Sequence, residues 1–240
     1  MEEFIYRIEN RSPGPPGKGT IVLEGEEHFH LSRVLRVKPG NHVLATDGNG
    51  TTCLCTIRKI NRENTLCEIE EEYQDLNSPA RKFWIGLSML KPVSKIESAV
   101  EKCTEIGAAG FLLFPSKRSE KVRPRLSRLD AIARSAMKQS LQSRIPTIVK
   151  IDDMEQLVAR DREYNVRVVL HEKSRDPAEP FIRQLANQTS VVALIGPEGG
   201  FTDEEIAFFK ENGYAELSLG KSRLRSETAA IKIASLLSGS

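Results

Sequence analysis

VVALIGPEGGFTDEE, Val191 to Glu205, places five apolar residues before a glycine- and proline-containing turn, and that turn before a helix-capping pair. Val191–Ile195 shows no polar alternation. Such a short apolar run bounded by turn residues predicts a strand buried on both faces, as in parallel sheets. Thr202 and Glu205 stand three apart, the spacing of a capping box, so a helix begins there. Glycines between strand and helix let a ligand approach the backbone and leave N–H groups unobstructed. In open α/β sheets, ligands bind beyond the carboxyl ends of the strands, where this turn falls.

The same alternation extends in both directions. Phe83–Leu90, Phe111–Phe114, Val166–Leu170 and Ala215–Leu219 read as further apolar strands. Helices are expected between them. Ser94 with Glu97 has capping-box spacing, Ile96, Ala99, Val100, Cys103 and Ile106 follow at helical intervals, and Gly107 suits the C′ position. Leu129, Ile132, Ala133 and Ala136 stripe a second helix. Asp176-Pro177 opens a third, since proline fits the first turn. Gly213 ends the helix begun at Thr202, and Ser226 opens a last one with Ala230, Ile233, Ala234 and Leu237 on one face. The expected class is α/β with a parallel sheet covered on both sides.

Before Asp75 the pattern is different. Phe4–Ile8, Thr20–Leu23, His42–Thr46, Thr51–Ile60 and Thr65–Glu70 read as short strands separated by turn residues. Arg11–Gly19 is too proline-rich for a central strand, and Glu26–Val37 reads as one short helix. Polar Glu71–Ala80 is the expected linker, giving domains at residues 1–73 and 74–240. There is no internal repeat or low-complexity tract.

Net charge is only +2, but its distribution is uneven. Lys117–Arg144 contains nine Lys and Arg against two acids. Such a tract suits a phosphate backbone, with Arg118, Arg125 and Arg128 as candidate contacts. A solvated basic helix face fits the charge equally well. No apolar run approaches the roughly 18 residues of a membrane span, and MEEFIYRIEN lacks the features of a secretory signal. Cys53, Cys55, Cys67 and Cys103 form no CxxC pair, so buried thiols in a reducing cytoplasm are expected, with no metal. Of His28 and His30, one is expected partly buried and the other exposed. Phe83 and Trp84 read as core.

Two more strand ends carry polar loops. LGKSRLRSETAA, Leu219 to Ala230, joins a strand to a helix, and Arg225 could reach a phosphate or a small ligand. Glu227 fits a first-turn acid favoured by the helix dipole. His171 follows Val166–Leu170 and could line the same crevice. No nucleophile–base pair appears at FPSKRS, Phe114 to Ser119.

Together, IGPEGGF and LGKSRLRSETA resemble the bacterial 16S ribosomal RNA uridine-N3 methyltransferases, the RsmE family of the knotted SPOUT class. KPVSKIESAVEKCTEIG (Lys91–Gly107), FPSKRSE, MKQSLQSRIP and HLSRVLRVKPGNHVLATDGNG extend the likeness over nearly the whole chain. Ser222-Arg223 departs from the Arg-Ile common in the family, and Glu2 and Glu3 stand where an arginine is usual. The resemblance implies a small PUA-like β-barrel, then a SPOUT-type parallel sheet with a C-terminal trefoil knot, in a cytoplasmic homodimer. It also implies S-adenosylmethionine bound near Leu170, His171, Ile195, Gly196, Glu198, Gly199, Gly200, Leu219, Gly220, Leu224 and Arg225, and RNA contacts from Arg33 and Arg36. The expected partner is 16S rRNA within the small ribosomal subunit. Glu198, or a water it orients, is the candidate base for the uridine N3 proton, and Arg225 the candidate stabiliser of the resulting anion. A relative acting on ribose 2′-hydroxyls or transfer RNA, and a non-catalytic rRNA-binding assembly factor, remain as alternatives.

Overall fold

Two patterns in the sequence give two cores. The computed structural model describes residues 5–8, 10–12 and 19–239. The chain falls into two compact units, Met1–Ser78 with Met137–Ile145, and Pro79–Ala136 with Pro146–Ser240. Glu2, Glu3, Phe4 and residues 13–18 of the proline-rich loop lie outside the described residues.

The first unit holds β1 (Ile5–Arg7), β2 (Asn10–Ser12), β3 (Thr20–Glu24), β4 (His42–Thr46), β5 (Thr51–Ile60) and β6 (Asn64–Gln74) in the order β1-β4-β5-β6-β3-β2. All pairings are antiparallel except β1 with β4. The outermost strands, β1 and β2, are consecutive in the chain. Laid flat, six strands would hold them about 24 Å apart, whereas three residue steps from Arg7 to Asn10 reach only about 11 Å. The sheet must therefore curl towards a barrel. Ile21, Leu23, Ala45, Ile57 and three cysteines fill its interior. A register shift at Leu54/Cys55 accompanies the burial of both Cys53 and Cys55. β6 continues to Gln74, because Glu71, Glu72, Tyr73 and Gln74 still pair with β5, so the expected linker is half strand.

The helix expected over Glu26–Val37 forms in two pieces. α1 covers Gly25–Phe29, and His30–Val34 continues as a π-helical turn. His30 is half-buried rather than exposed, with the Tyr6 hydroxyl 3.1 Å from its Nδ1, while His28 is buried against the Thr65 hydroxyl at 2.8 Å. Met137–Ile145 completes this unit. The Ser143 carbonyl accepts from Gly50 N–H at 3.0 Å and from the Thr46 hydroxyl at 3.1 Å, and Ile145 N–H donates to Gly48 at 2.9 Å.

The second unit is the expected parallel sheet. β7 (Phe83–Ser88), β8 (Gly110–Phe114), β9 (Thr147–Lys150), β10 (Val166–Leu170), β11 (Val191–Ile195) and β12 (Ala215–Leu217) lie in the order β12-β10-β11-β7-β8-β9, all parallel. α2 (Ser94–Glu105), α3 (Leu126–Gln139), α4 (Met154–Asp161), α5 (Ala178–Arg183), α6 (Asp203–Glu211) and α7 (Ser226–Ser238) connect or follow the strands. Phe83, Ile85 and Leu87 join one core with residues of α2 and α7, while Trp84 joins the other with residues of α4 and α6. One strand thus feeds both faces, which is why it reads as continuously apolar.

Thr202 and Glu205 form a complete capping box. Ser94 and Glu97 do not. Val93 occupies the cap of α2 without a side-chain bond, and the Glu97 carboxylate instead takes Arg128 Nε at 2.5 Å and Nη2 at 3.0 Å. That pairing holds Glu97 below the usual carboxylate range. Pro177 sits at the cap of α5, one residue earlier than expected. β9 and α4 lie in a stretch where the sequence reading gives no element. The sign of α4 was Asp153, whose carboxylate accepts Gln156 N–H at 2.7 Å.

Asp161, fully buried at the end of α4, accepts the Tyr214 hydroxyl at 2.7 Å, while its Oδ1 has no partner among the described residues. Burial pushes its carboxyl up from 3.8 to about 6. The fold therefore favours the protonated form. Its contribution to stability is fully present below about pH 4 and is lost as pH rises through about pH 6. Asp161→Asn keeps an acceptor for Tyr214 and removes the charge. Denaturant titrations should show it more stable than wild type at pH 7, by up to about 3 kcal/mol, with the gain vanishing near pH 4. An equal difference at both pH values would contradict this account.

Candidate active site

The carboxyl ends of β10, β11 and β12 are neighbours because the sheet order sets β10 between β12 and β11. The segments leaving them, Leu170–Lys173, Ile195–Phe201 and Ser218–Ser226, surround one cavity of about 310 Å³, with Arg118 and Ala229 completing its wall. That volume is at the lower end of small-molecule sites, roughly 300–1,000 Å³.

Backbone geometry builds most of this wall. Gly200 has φ +66°, a left-handed conformation that disfavours a β-branched residue. At Gly196 a Cβ would lie 3.1 Å from Phe201 N and 3.2 Å from its ring, so a side chain there would require Phe201 to give way by a few tenths of an ångström. The Gly196 carbonyl accepts the buried Ser226 hydroxyl at 2.8 Å, tying the first turn of α7 to the loop after β11. Arg118 donates to the Gly199 carbonyl at 2.8 Å. Buried Glu205 accepts Lys117 N–H at 2.7 Å and Thr202 N–H at 2.8 Å, so the loop after β8 and the glycine loop share one carboxylate. Lys232 donates to the Leu219 carbonyl at 2.8 Å and steadies the third segment.

Charged groups sit around this frame. Glu198 takes Lys95, from the first turn of α2, at 2.6 Å. Arg223 lies 3.5 Å from Glu172 and donates to the Glu198 carbonyl at 3.5 Å. His171 Nδ1 meets Glu216 at 2.8 Å, and this bond, with Lys210, holds Glu216 below the usual carboxylate range. Arg225 is exposed at the cap of α7. The arrangement offers backbone donors and acceptors for a polar ligand, apolar surface from Leu170, Ile195, Leu219 and Leu224, and a carboxylate and cations at the same cavity.

All eleven residues expected around a small ligand, from Leu170 to Arg225, line this one cavity. The expected RNA contacts are dispersed. Arg118 is in the cavity wall, Arg125 and Arg128 are exposed at the start of α3, and Arg33 and Arg36 are exposed in the first unit. Arg128 is engaged with Glu97. The sequence reading missed Lys95 and Ser226 as parts of the site. Ser226 was legible as a helix start, but its bond to Gly196, thirty residues away, has no local sign. Among the described residues, no group of three or more His, Cys, Asp or Glu could hold a metal ion, and no helix is long and apolar enough to cross a membrane.

Residues 77–238 match the family model of an RNA methyltransferase domain, and residues 23–70 that of an RNA methyltransferase PUA domain. A Mycobacterium bovis protein named Ribosomal RNA small subunit methyltransferase E is 30% identical over 226 residues, covering 90% of this chain and 85% of that one. The chain belongs to the ribosomal RNA small subunit methyltransferase E family. A Bacillus subtilis protein of the same name is 26% identical over 91% of this chain and 90% of its own. A solved structure from Legionella pneumophila, in complex with the bound cofactor SAM, has a TM-score of 0.78 at 25% identity, covering 98% of this chain and 97% of that one. Membership in this family places the parallel sheet with the methyltransferase domain and the curled sheet with the PUA domain.

Removing the Ser226 hydroxyl leaves the Gly196 carbonyl without its side-chain donor. Ser226→Ala should lower stability by roughly 1–3 kcal/mol and speed amide exchange in Gly196–Phe201, read by denaturation and by hydrogen exchange resolved to that segment. Exchange unchanged in the loop would show that the bond does not hold it.

Proposed function

We propose that this chain transfers a methyl group from S-adenosylmethionine to N3 of a uridine in 16S rRNA of the small ribosomal subunit. The observation that carries the proposal is the convergence of three strand-end segments on one cavity, in a chain of this family. S-adenosylmethionine fits the chemistry of the wall, with backbone polar groups along glycine-rich loops and leucine and isoleucine side chains for an adenine face. When bound, it supplies an electrophilic methyl carbon.

The protein must hold the uracil in place, exclude water, and remove the N3 proton. Glu198 is the proposed acceptor, directly or through a water. Lys95 engages its Oε1, which leaves Oε2 to take the proton. Arg225 is the proposed cation beside the uracil oxygens as negative charge develops. Arg33, Arg36 and Arg125 are the proposed phosphate contacts, together with Arg118 and Arg128 where the RNA competes for them. An unpaired or extruded uridine is the form that exposes N3. We further propose that the segment through α7 is threaded as a trefoil knot, that two copies associate as a homodimer, and that the enzyme works in the cytoplasm.

Small ribosomal subunits lacking the modification, incubated with the protein and S-adenosylmethionine, should gain one methyl group on a uridine base, mapped by mass spectrometry of nuclease fragments. A methyl group on ribose, or on transfer RNA alone, would refute the assignment. Glu198→Gln should keep its affinity for S-adenosylhomocysteine while single-turnover methylation falls roughly 10²–10⁴-fold, and raising the pH should restore part of the rate because uridine then ionises unaided. Normal rates with normal affinity would remove Glu198 from the chemistry.

A further inference from the structure

The π-helical turn of the first unit builds a surface that the methyl-transfer site does not use. Leu35 N–H bonds to the His30 carbonyl five residues earlier, at 2.9 Å. In such a widened turn of roughly 4.4 residues, the residue five places on lies about 50° round from the first, against about 140° in an α-helix. Phe29 and Val34, which an α-helix would set on different faces, therefore share one. Both are exposed, at 60% and 56%, while Leu31 between them is fully buried. The chain then leaves through Arg36, a non-glycine residue with φ +51°. A π turn and a left-handed arginine in succession are uncommon and concentrate at functional sites.

The element is held firmly beneath this face. His28 is anchored by Thr65, and Glu27 pairs with Lys138 at 2.8 Å. Phe29 is thus exposed on a fixed base. From His28 to Lys38 the sequence has three Lys and Arg residues and no acid, and both arginines are exposed. An aromatic ring with cations on one side of it is a composition that binds single-stranded nucleic acid, with a base stacked on the ring and phosphates met by the cations. Exposed aliphatic residues alone would suit a second copy of the chain, but Arg33 and Arg36, both exposed with no acid between them, favour a polyanion.

We infer that Phe29 and Val34 form a stacking platform for an unpaired base of the RNA substrate, with Arg33 and Arg36 on the adjoining phosphates. The inference rests on the RNA-methyltransferase reading and adds a mode of recognition, base stacking outside the catalytic cavity.

The full-length chain carrying Phe29→Trp supplies the probe, because Trp84, the sole native tryptophan, is buried. Titration with a uridine-containing single-stranded RNA oligonucleotide should quench the fluorescence of the introduced indole, and a duplex of the same sequence should quench it far less. Phe29→Ala should bind the single strand roughly tenfold more weakly with an unchanged salt slope, whereas Arg33→Gln should lower that slope by about one. The effect of Phe29→Ala on methylation of small subunits should appear in KM rather than kcat. No quenching by the single strand, or equal quenching by the duplex, overturns the platform. So does a change of oligomeric state on Phe29→Ala, which would mark this face as a contact between copies. Failure of the wild type to methylate, with S-adenosylhomocysteine binding also absent, counts against the underlying reading, and the quenching experiment still judges the platform by itself.

Discussion

The central strands of the parallel sheet have no face exposed to water. β7, β8 and β11 are buried at every residue, because helices cover both sides. A sheet so enclosed can present polar chemistry only where its strands end. The backbone there must turn, and the turning residues carry N–H and carbonyl groups that no ladder satisfies. The order of strands then decides which ends meet. With β10 set between β12 and β11, three segments distant in sequence come to share one cavity.

The loops at that cavity are shaped more by bonds between segments than by bonds within them. Ser226 reaches Gly196, Arg118 reaches Gly199, and Glu205 joins the loop after β8 to the loop after β11, each bond linking residues at least thirty positions apart. The wall therefore behaves as one network, in which loosening one segment removes partners from another. Such coupling suits a site that must hold a ligand through backbone atoms, since main chain can be positioned only by what braces it.

The central strands and most helix ends were legible because the sheet is enclosed. Val166–Leu170 and Val191–Ile195 have the same bounds in sequence and structure, and Gly107 and Gly213 end helices as their conformational freedom requires. Of the two edge strands of this sheet, Ala215–Leu217 was legible and Thr147–Lys150 was not. Thr147–Lys150 lies at the sheet margin, half exposed, and α4 is only eight residues long, too short a run for its periodicity to stand out. Ser94 and Glu97 had capping spacing without the bond, since the helix starts one residue earlier with Val93 at the cap, and the Glu97 carboxylate takes Arg128 instead. For the site, glycine and strand-end position marked the loops, while Lys95 was invisible because its relation to Glu198 arises only from the packing of α2. The π turn could not have been foreseen either, as its sequence is compatible with ordinary helix.

The first unit is discontinuous in the sequence. Its strands are complete by Gln74, yet Ser143 and Ile145 supply the carbonyl and amide that meet Thr46, Gly50 and Gly48. During synthesis the barrel-like sheet leaves the ribosome about seventy residues ahead of the segment that braces its β4–β5 hairpin, and β7, α2 and β8 are made in the interval. The N-terminal unit cannot then mature as an independent module on the nascent chain. It reaches its final form only after the second unit is under way and before that unit's last strands and α7 are made, so the synthesis of the two units interleaves. The same discontinuity makes any cut between the two at a single point an incomplete separation.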